Sequence, residues 1–288
     1  MRLSEISEPG FYDLPAAVYH SDPFKGGTLS QSATKVLLDE GGPAKYRAQQ
    51  DLPREEKNEW DLGTAAHALI LGKGEEQLVV HEYEDYRKKE AREVRDAAYE
   101  AGKTPLKPQE WEATKALADA VPDHIRQLFN GGVAEQAMFW RHTTGQQLRG
   151  QMDYWVPGSY IADLKTINDS SMRAIESDVW RFCYYYQAAW YRRGVHALTG
   201  DWLPYFIVFV EKKAPFLSRV VEVSDDYLAV GEAHMDKALA IHAECTATGE
   251  WPGHSDTVHQ LLPPPWAANA VADATIAALE DLIGETNE

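Results

Sequence analysis

Asp153, Asp163 and Lys165 are the residues whose types and spacing most plainly suit chemistry. They lie in Gly150-Gln151-Met152-Asp153-Tyr154-Trp155-Val156, a Pro157-Gly158 turn, and Ile161-Ala162-Asp163-Leu164-Lys165-Thr166. Both arms are short and apolar, and the turn between them is tight enough for a hairpin. Antiparallel pairing lets Asp153 approach Asp163 at one end of a sheet. Side chains alternate along a strand, so Asp163 and Lys165 project from one face. Two carboxylates and an ammonium on one surface suit a hard divalent cation beside an activated water. Asp163 would coordinate the cation. Lys165 would orient or help deprotonate the water and offset phosphate charge. That is the chemistry of a metal-dependent phosphodiesterase. As a bare pattern Asp-x-Lys also fits a surface salt bridge at a strand end; the upstream Asp153 and the apolar strand around the motif raise the catalytic reading.

Other residues acquire meaning only beside these. Glu135 opens the preceding strand, and a third carboxylate suits the oxygen-rich shell of Mg²⁺ or Mn²⁺. His67 sits on an Ala/Leu-rich helix over 61–72, on a stripe with Thr64 and Leu71. A lone histidine on such a face reads first as a hydrogen-bonded core residue and second as a ligand. No partner histidine at metal spacing and no cysteine pair accompanies it, which argues against zinc. Gln187 and Tyr191 lie one helical turn apart among Tyr184, Tyr185, Tyr186 and Trp190. They form an aromatic core stripe or flank a site and touch phosphate or base. Arg149 offers a fork to phosphate oxygens, or stands as an exposed strand arginine. There is no Gly-Lys-Ser/Thr phosphate loop, no dinucleotide-binding glycine pattern and no Gly-x-Ser-x-Gly elbow. Cys183, amid aromatics, reads as packed rather than nucleophilic.

The elements that must position these residues follow from pattern. Residues 1–60 read as irregular, then helical, with Ser30 as an N-cap and Gly41-Gly42 as a stop. Residues 88–100 and 111–129 read as helices flanking a break at 102–108. Strands are expected over 135–142, 148–156 and 160–166, then a long helix over 173–199, a buried strand over 205–210, an outer strand over 217–223 and a helix over 225–248. This order implies a mixed sheet with a crossover helix on one face. An acidic amphipathic helix is expected over 267–283. No internal repeat or low-complexity linker appears, so one domain over 1–266 is expected, with a helical part to about 130, a core over about 131–250 and a tail over 267–288.

Bulk composition excludes several classes. The chain has 288 residues, is 44% hydrophobic and 25% charged, and contains two cysteines. That is ordinary for a soluble globular protein and leaves no disulfide framework, so a reducing cytoplasm is expected. No apolar run spans a bilayer and no signal core opens the chain. The formal net charge of −17 argues against a nucleic-acid coat protein, though not against an enzyme gripping DNA in a local basic channel.

Taken together, Gly63-Thr64-Ala65-Ala66-His67, Glu135, Asp153, Asp163-Leu164-Lys165-Thr166 and Gln187-Ala188-Ala189-Trp190-Tyr191 resemble the PD-(D/E)XK nuclease superfamily. More narrowly they resemble the phage and prophage exonuclease VIII (RecE-type) group. Gly10-Phe11-Tyr12 with Tyr19-His20, Leu29-Ser30-Gln31-Ser32 and Trp251-Pro252-Gly253 extend the likeness over most of 9–266. Met152 stands where the superfamily's name places proline.

The resemblance implies an α/β fold: a restriction-endonuclease-like core, its central mixed β-sheet flanked by helices, with N- and C-terminal helical additions. It implies a Mg²⁺-dependent 5′-to-3′ double-strand DNA exonuclease, with Mn²⁺ able to substitute. His67, Glu135, Asp153, Asp163 and the Leu164 backbone carbonyl would form the metal shell. Lys165 would be the catalytic lysine, and Gln187, Tyr191 and Arg149 would contact DNA. It further implies a ring-shaped homo-oligomer, a single-strand annealing partner and a role in phage DNA recombination. The competing readings are a structure-specific or restriction-like endonuclease, a non-catalytic DNA- or protein-binding module, and a structural protein with a chance Asp-x-Lys.

Overall fold

The computed structural model describes residues 6–51, 58–255, 257–258, 260–264, 267, 270, 272–273 and 275–276. The chain forms two compact units, Met1–Gly253 and His254–Glu288. In the second, Ala267 is in a 3-10 turn and Ala270, Ala272, Asp273, Thr275 and Ile276 are helical; the remainder of the helix expected over 267–283, like Trp266, lies outside the described residues.

The first unit begins with β1 (Gly10–Asp13), α1 (Ala16–His20), β2 (Leu29–Ser30), α2 (Gln31–Lys35), α3 (Gly42–Asp51) and α4 (Asn58–Leu71). It continues through β3 (Leu78–Val80), α5 (Lys89–Glu100), β4 (Thr104–Leu106), α6 (Pro108–Ala120) and α7 (Asp123–Arg126). The core comprises β5 (Val133–Arg141), β6 (Gln147–Val156), β7 (Tyr160–Ile167), α8 (Met172–Arg181), α9 (Tyr184–Thr199), β8 (Tyr205–Glu211), β9 (Ser218–Glu222) and α10 (Asp225–Thr248). The main sheet runs β1-β5-β6-β7-β8-β9, with β2 also paired to β6. β7 and β8 are parallel, joined through α8 and α9, whereas β5, β6 and β7 form an antiparallel meander. The mixed sheet with helical crossover is therefore the one expected.

Burial explains the layers. β8 reads Tyr-Phe-Ile-Val-Phe-Val and is almost wholly buried, as a strand covered on both faces must be. Ile207 and Phe209 join the core under α9 and α10, with Tyr186, Trp190 and Met235. Val208 and Val210 join Leu164, Ala66, Ile70 and Leu117 under α4 and α6. Alternate residues of one strand thus feed two cores. Gly231 lets α10 approach α9: a Cβ there would meet the Tyr185 carbonyl oxygen at 2.5 Å.

Four expectations are corrected. Residues 10–13, read as turn-rich, form the edge strand β1, paired in register with β5. The break at 102–108 contains β4, which pairs with β3 in a second small sheet. The helix over 111–129 is interrupted after Ala120, where Pro122 restricts the residue before it and cannot donate its own hydrogen bond. The helix over 173–199 is two helices, broken at Phe182-Cys183. Cys183 adopts φ 57°, a left-handed conformation that costs a non-glycine residue roughly 1–2 kcal/mol. Its N–H donates to Trp180 O and its carbonyl accepts from Tyr186 N, which fixes the joint. No glycine or proline marks the break, so composition gives no sign of it.

Candidate metal centre and active site

Three carboxylates form a row across three strands. The pairs Ala134–Tyr154 and Gln136–Met152 flank Glu135 and Asp153, and the last β6–β7 pair, Tyr154–Ala162, lies directly before Asp153 and Asp163. The ladder is interrupted at this row. Ala134 pairs with Tyr154 and Gln136 with Met152, but Glu135 and Asp153 form no pair between them. Glu135 itself has φ 52°. Backbone held in a sparsely populated region is a feature of sites whose surroundings over-determine them.

The sheet also forks here. The β6–β7 pairing ends at Tyr154–Ala162, and β2 occupies the same edge of β6 only at Leu148 and Arg149. Between them, among the described residues, no strand pairs with the edge of β6 at 150–153. Helix α9 fills the wedge. Trp190 Nε1 donates to the Arg149 carbonyl at 2.9 Å. Tyr191 packs so closely on Gly150 that a Cβ there would lie 2.9 Å from its ring. Where β7 leaves β6, Asp153 Oδ2 accepts from the Leu164 N–H at 2.8 Å.

Asp163 is 1% exposed. Its Oδ1 accepts from Gln187 Nε2 at 2.8 Å, and its Oδ2 lies 2.5 Å from Lys165 Nζ. That ion-pair contact apart, Oδ2 is buried without a hydrogen-bond partner. From the other layer α4 brings His67, whose Nδ1 is 3.6 Å from Asp153 Oδ2. His67, Glu135 and Asp153 each place one ligand atom within 4.8 Å of the others.

The electrostatics are those of a crowded acidic centre. Burial first, and the Asp153 charge second, push Glu135 up to about 8. The same two causes, opposed by Lys165, raise Asp163 to about 7. Burial alone would lower Lys165, but Asp163 and Asp153 outweigh it and hold the ammonium above its usual range. Burial lowers His67 against the pull of Asp153, and a hydrogen bond with the Leu164 backbone supports its charged form. A neutral imidazole and two repelling carboxylates, those of His67, Glu135 and Asp153, are a donor set that a divalent cation fits.

Of the side chains expected as ligands, the structure gathers His67, Glu135 and Asp153. Asp163 stands beside them, turned to Lys165 and Gln187. The Leu164 backbone runs through the centre, its N–H held by Asp153 and its chain beside His67. Two expected DNA contacts are placed otherwise. Arg149 Nη1 pairs with Asp22 Oδ1 at 2.6 Å and lies over the Tyr19 ring, committed to the N-terminal segment. Tyr191 is buried in the core, its ring packed on Gly150. Both placements follow from the packing of α9 and the N-terminal segment on β6.

His67 and Glu135 line a cleft of about 920 Å³, together with Thr64, Lys73, Gln151 and Tyr184. Lys73 was not singled out in the sequence. It follows Gly72 at the end of α4, and its Nζ reaches Asp13 at 2.6 Å and the Ala134 carbonyl at 3.0 Å. Only the position of a cation directly after a helix-stopping glycine could have drawn attention to it.

Residues 30–261 match the family model described as a PDDEXK-like domain of unknown function (DUF3799). The chain belongs to this family. The PDDEXK-like domain also has solved structural neighbours. A candidate exonuclease from Eubacterium rectale superposes with a TM-score of 0.59 at 17% identity, covering 88% of this chain and 96% of that one. The alkaline exonuclease of Laribacter hongkongensis gives a TM-score of 0.29 at 14% identity over 67% of this chain and 96% of its own, too distant to carry an argument. No curated protein matches the sequence. Family and first neighbour establish the PD-(D/E)XK fold that the sequence resemblance implied.

Proposed function

We propose that this PDDEXK-like domain is a divalent-metal-dependent deoxyribonuclease that degrades double-stranded DNA from its ends. The observation that carries the reading is the convergence of His67, Glu135 and Asp153 beside the Asp163–Lys165 pair at the sheet fork. His67, Glu135 and Asp153 would hold the cation, with Asp163 completing the shell on release from Lys165. The cation would supply Lewis acidity and charge neutralisation. Lys165, held protonated, donates to a phosphate oxygen or a water rather than accepting a proton. Gln187 keeps the Asp163 carboxylate in place. The strand pairs on either side of the three carboxylates support the mechanism by bringing them close together before any ligand arrives.

The finer reading follows the resemblance: 5′-to-3′ polarity, Mg²⁺ with Mn²⁺ as substitute, a ring-shaped oligomer, and phage recombination with an annealing protein. Among the described residues no helix is long and apolar enough to cross a membrane.

The test uses linear double-stranded DNA with a 5′ phosphate beside covalently closed circular DNA, with Mg²⁺, Mn²⁺ or EDTA. Loss of the linear form alone, requiring metal and abolished in Asp163→Ala, is the expected result. Cutting of the circle would replace the exonuclease with an endonuclease, and no cutting with either metal would sink the catalytic reading.

A further inference from the structure

The break between α8 and α9 places an aromatic residue at the mouth of the cleft. Phe182 is 41% exposed and lines the cleft that holds His67 and Glu135. Its ring stacks with Tyr184 at 5.7 Å and 29°. The Arg181 guanidinium lies 5.1 Å from the Phe182 centroid, and Lys165 Nζ lies 5.4 Å from the Tyr184 centroid. Arg181, Phe182, Tyr184 and Lys165 therefore form a continuous column from solvent to the catalytic lysine. Lys212 lines the same cleft, and so does Asp178 one turn before Arg181. No ion pair of Arg181 or Lys212 is found among the described residues, so both cations remain available to phosphate.

We propose that this column is a nucleotide-positioning subsite. An unpaired base at a strand end caps the solvent end of the column, on the outer face of the Arg181 guanidinium that Phe182 supports from beneath, and its phosphate is held by Arg181 and Lys212. The inference rests on the nuclease reading of the same site and adds the form of substrate taken. A base inside a duplex has both faces covered by its neighbours, whereas a terminal unpaired base exposes one. Aromatic rings and arginine planes bind such faces without regard to sequence. The exposed apolar area of Phe182 has a use in this arrangement, and Tyr184 and Arg181 hold its ring in place. Phe182 and Arg181 are positioning residues; they touch no reacting atom.

The test binds the full chain in EDTA to duplexes carrying 2-aminopurine at the terminal position, either blunt or with a two-nucleotide overhang. Fluorescence quenching reports stacking, and DNA cleavage in Mg²⁺ is measured in parallel. Quenching on the overhang, loss of it with about tenfold weaker binding in Phe182→Ala, and its return in Phe182→Trp are expected. Trp180→Ala is the control: Trp180 is 57% exposed on the same helix but does not line the cleft, and its removal should change neither readout. DNA cleavage without quenching, or equal quenching in Phe182→Ala, overturns the subsite and leaves the nuclease standing. Quenching without cleavage keeps the subsite and sinks the nuclease. Absence of both overturns the two together.

Discussion

Asp153 Oδ2 accepts a hydrogen bond from the backbone N–H of Leu164 at 2.8 Å, where β6 and β7 have ceased to pair. In a regular antiparallel ladder that donor would meet a carbonyl oxygen. Here a side chain closes the fork, so Asp153 is at once a strand connector and a candidate ligand. The two roles separate by substitution. Asp153→Asn keeps an acceptor for Leu164 and should unfold in urea near the wild-type midpoint. Asp153→Ala leaves a buried N–H unsatisfied and should lose about 1–3 kcal/mol. Both should lose metal-dependent cleavage by about a hundredfold or more. Equal stability of the two variants would refute the connecting role.

Glu135 and Asp163 give the metal-free protein an inverted pH dependence. Their folded pKa values, about 8 and about 7, lie above the ordinary carboxylate values of 4.5 and 3.8. Between these limits the folded state binds more protons than the unfolded chain, so stability falls as pH rises. The contribution is fully present below the unfolded values and is lost as pH passes through 7 and 8. In EDTA the Tm should drop from pH 6 to pH 9, and excess Mg²⁺ should flatten the profile. Glu135→Gln should raise the Tm in EDTA at pH 8.5 by about 2–6 °C, the effect of roughly 1–2 kcal/mol, while abolishing stabilisation by Mg²⁺. A rising Tm with pH in EDTA would contradict the electrostatic account.

Lys165→Ala should reduce cleavage by about 10²–10³-fold, because a preorganised charge near the phosphate is removed. It should also shift the Mg²⁺ requirement. Without the ammonium, Asp163 loses the main interaction that opposes its raised pKa, so protons compete better with metal at neutral pH. A Mg²⁺ titration at pH 6.5 and at pH 8.5 measures this: the variant should need more metal at the lower pH, by a wider margin than wild type. Identical requirements at both pH values would rule the coupling out.

Much of this site was legible in the chain. Asp153, Asp163 and Lys165 are read from a hairpin whose turn and alternation fix their register, and local pairing of that kind rarely misleads. Glu135 and His67 needed the family's order of motifs, because a carboxylate near a strand start and a histidine on an apolar helix have ordinary explanations. Tyr191 and Arg149 could not be placed. Whether a helix faces solvent or fills a gap depends on how far β6 and β7 diverge, and nothing in either strand's sequence encodes that. The α8–α9 break was invisible for a similar reason: Arg181-Phe182-Cys183-Tyr184 has no turn-forming residue, and the left-handed Cys183 is imposed by packing.

The sparse cations of the cleft make a prediction about salt. The chain carries a net charge of −17, and Arg149 and Lys73 are already paired with Asp22 and Asp13. Arg181 and Lys212 are left to meet phosphates, with Lys165 joining them once Asp163 turns from it to the metal. With about three contacts, log Kd for DNA should change with log salt by a slope of about 2–3. Binding isotherms from 50 to 300 mM NaCl would give it; a slope near 8 would mean that a basic surface elsewhere carries the DNA.

The joint at Phe182-Cys183 divides this protein into parts that can change at different speeds. The acidic row hangs on three strands joined by short turns, so almost any alteration there costs the reaction. The lip formed by the end of α8 contributes stacking and charge yet bears none of the carboxylates. Substitutions at 181 and 182, or a lengthened connection between the two helices, would alter which DNA ends are accepted and leave hydrolysis intact. Descent with new substrate preferences, and deliberate redesign, should both run through that lip.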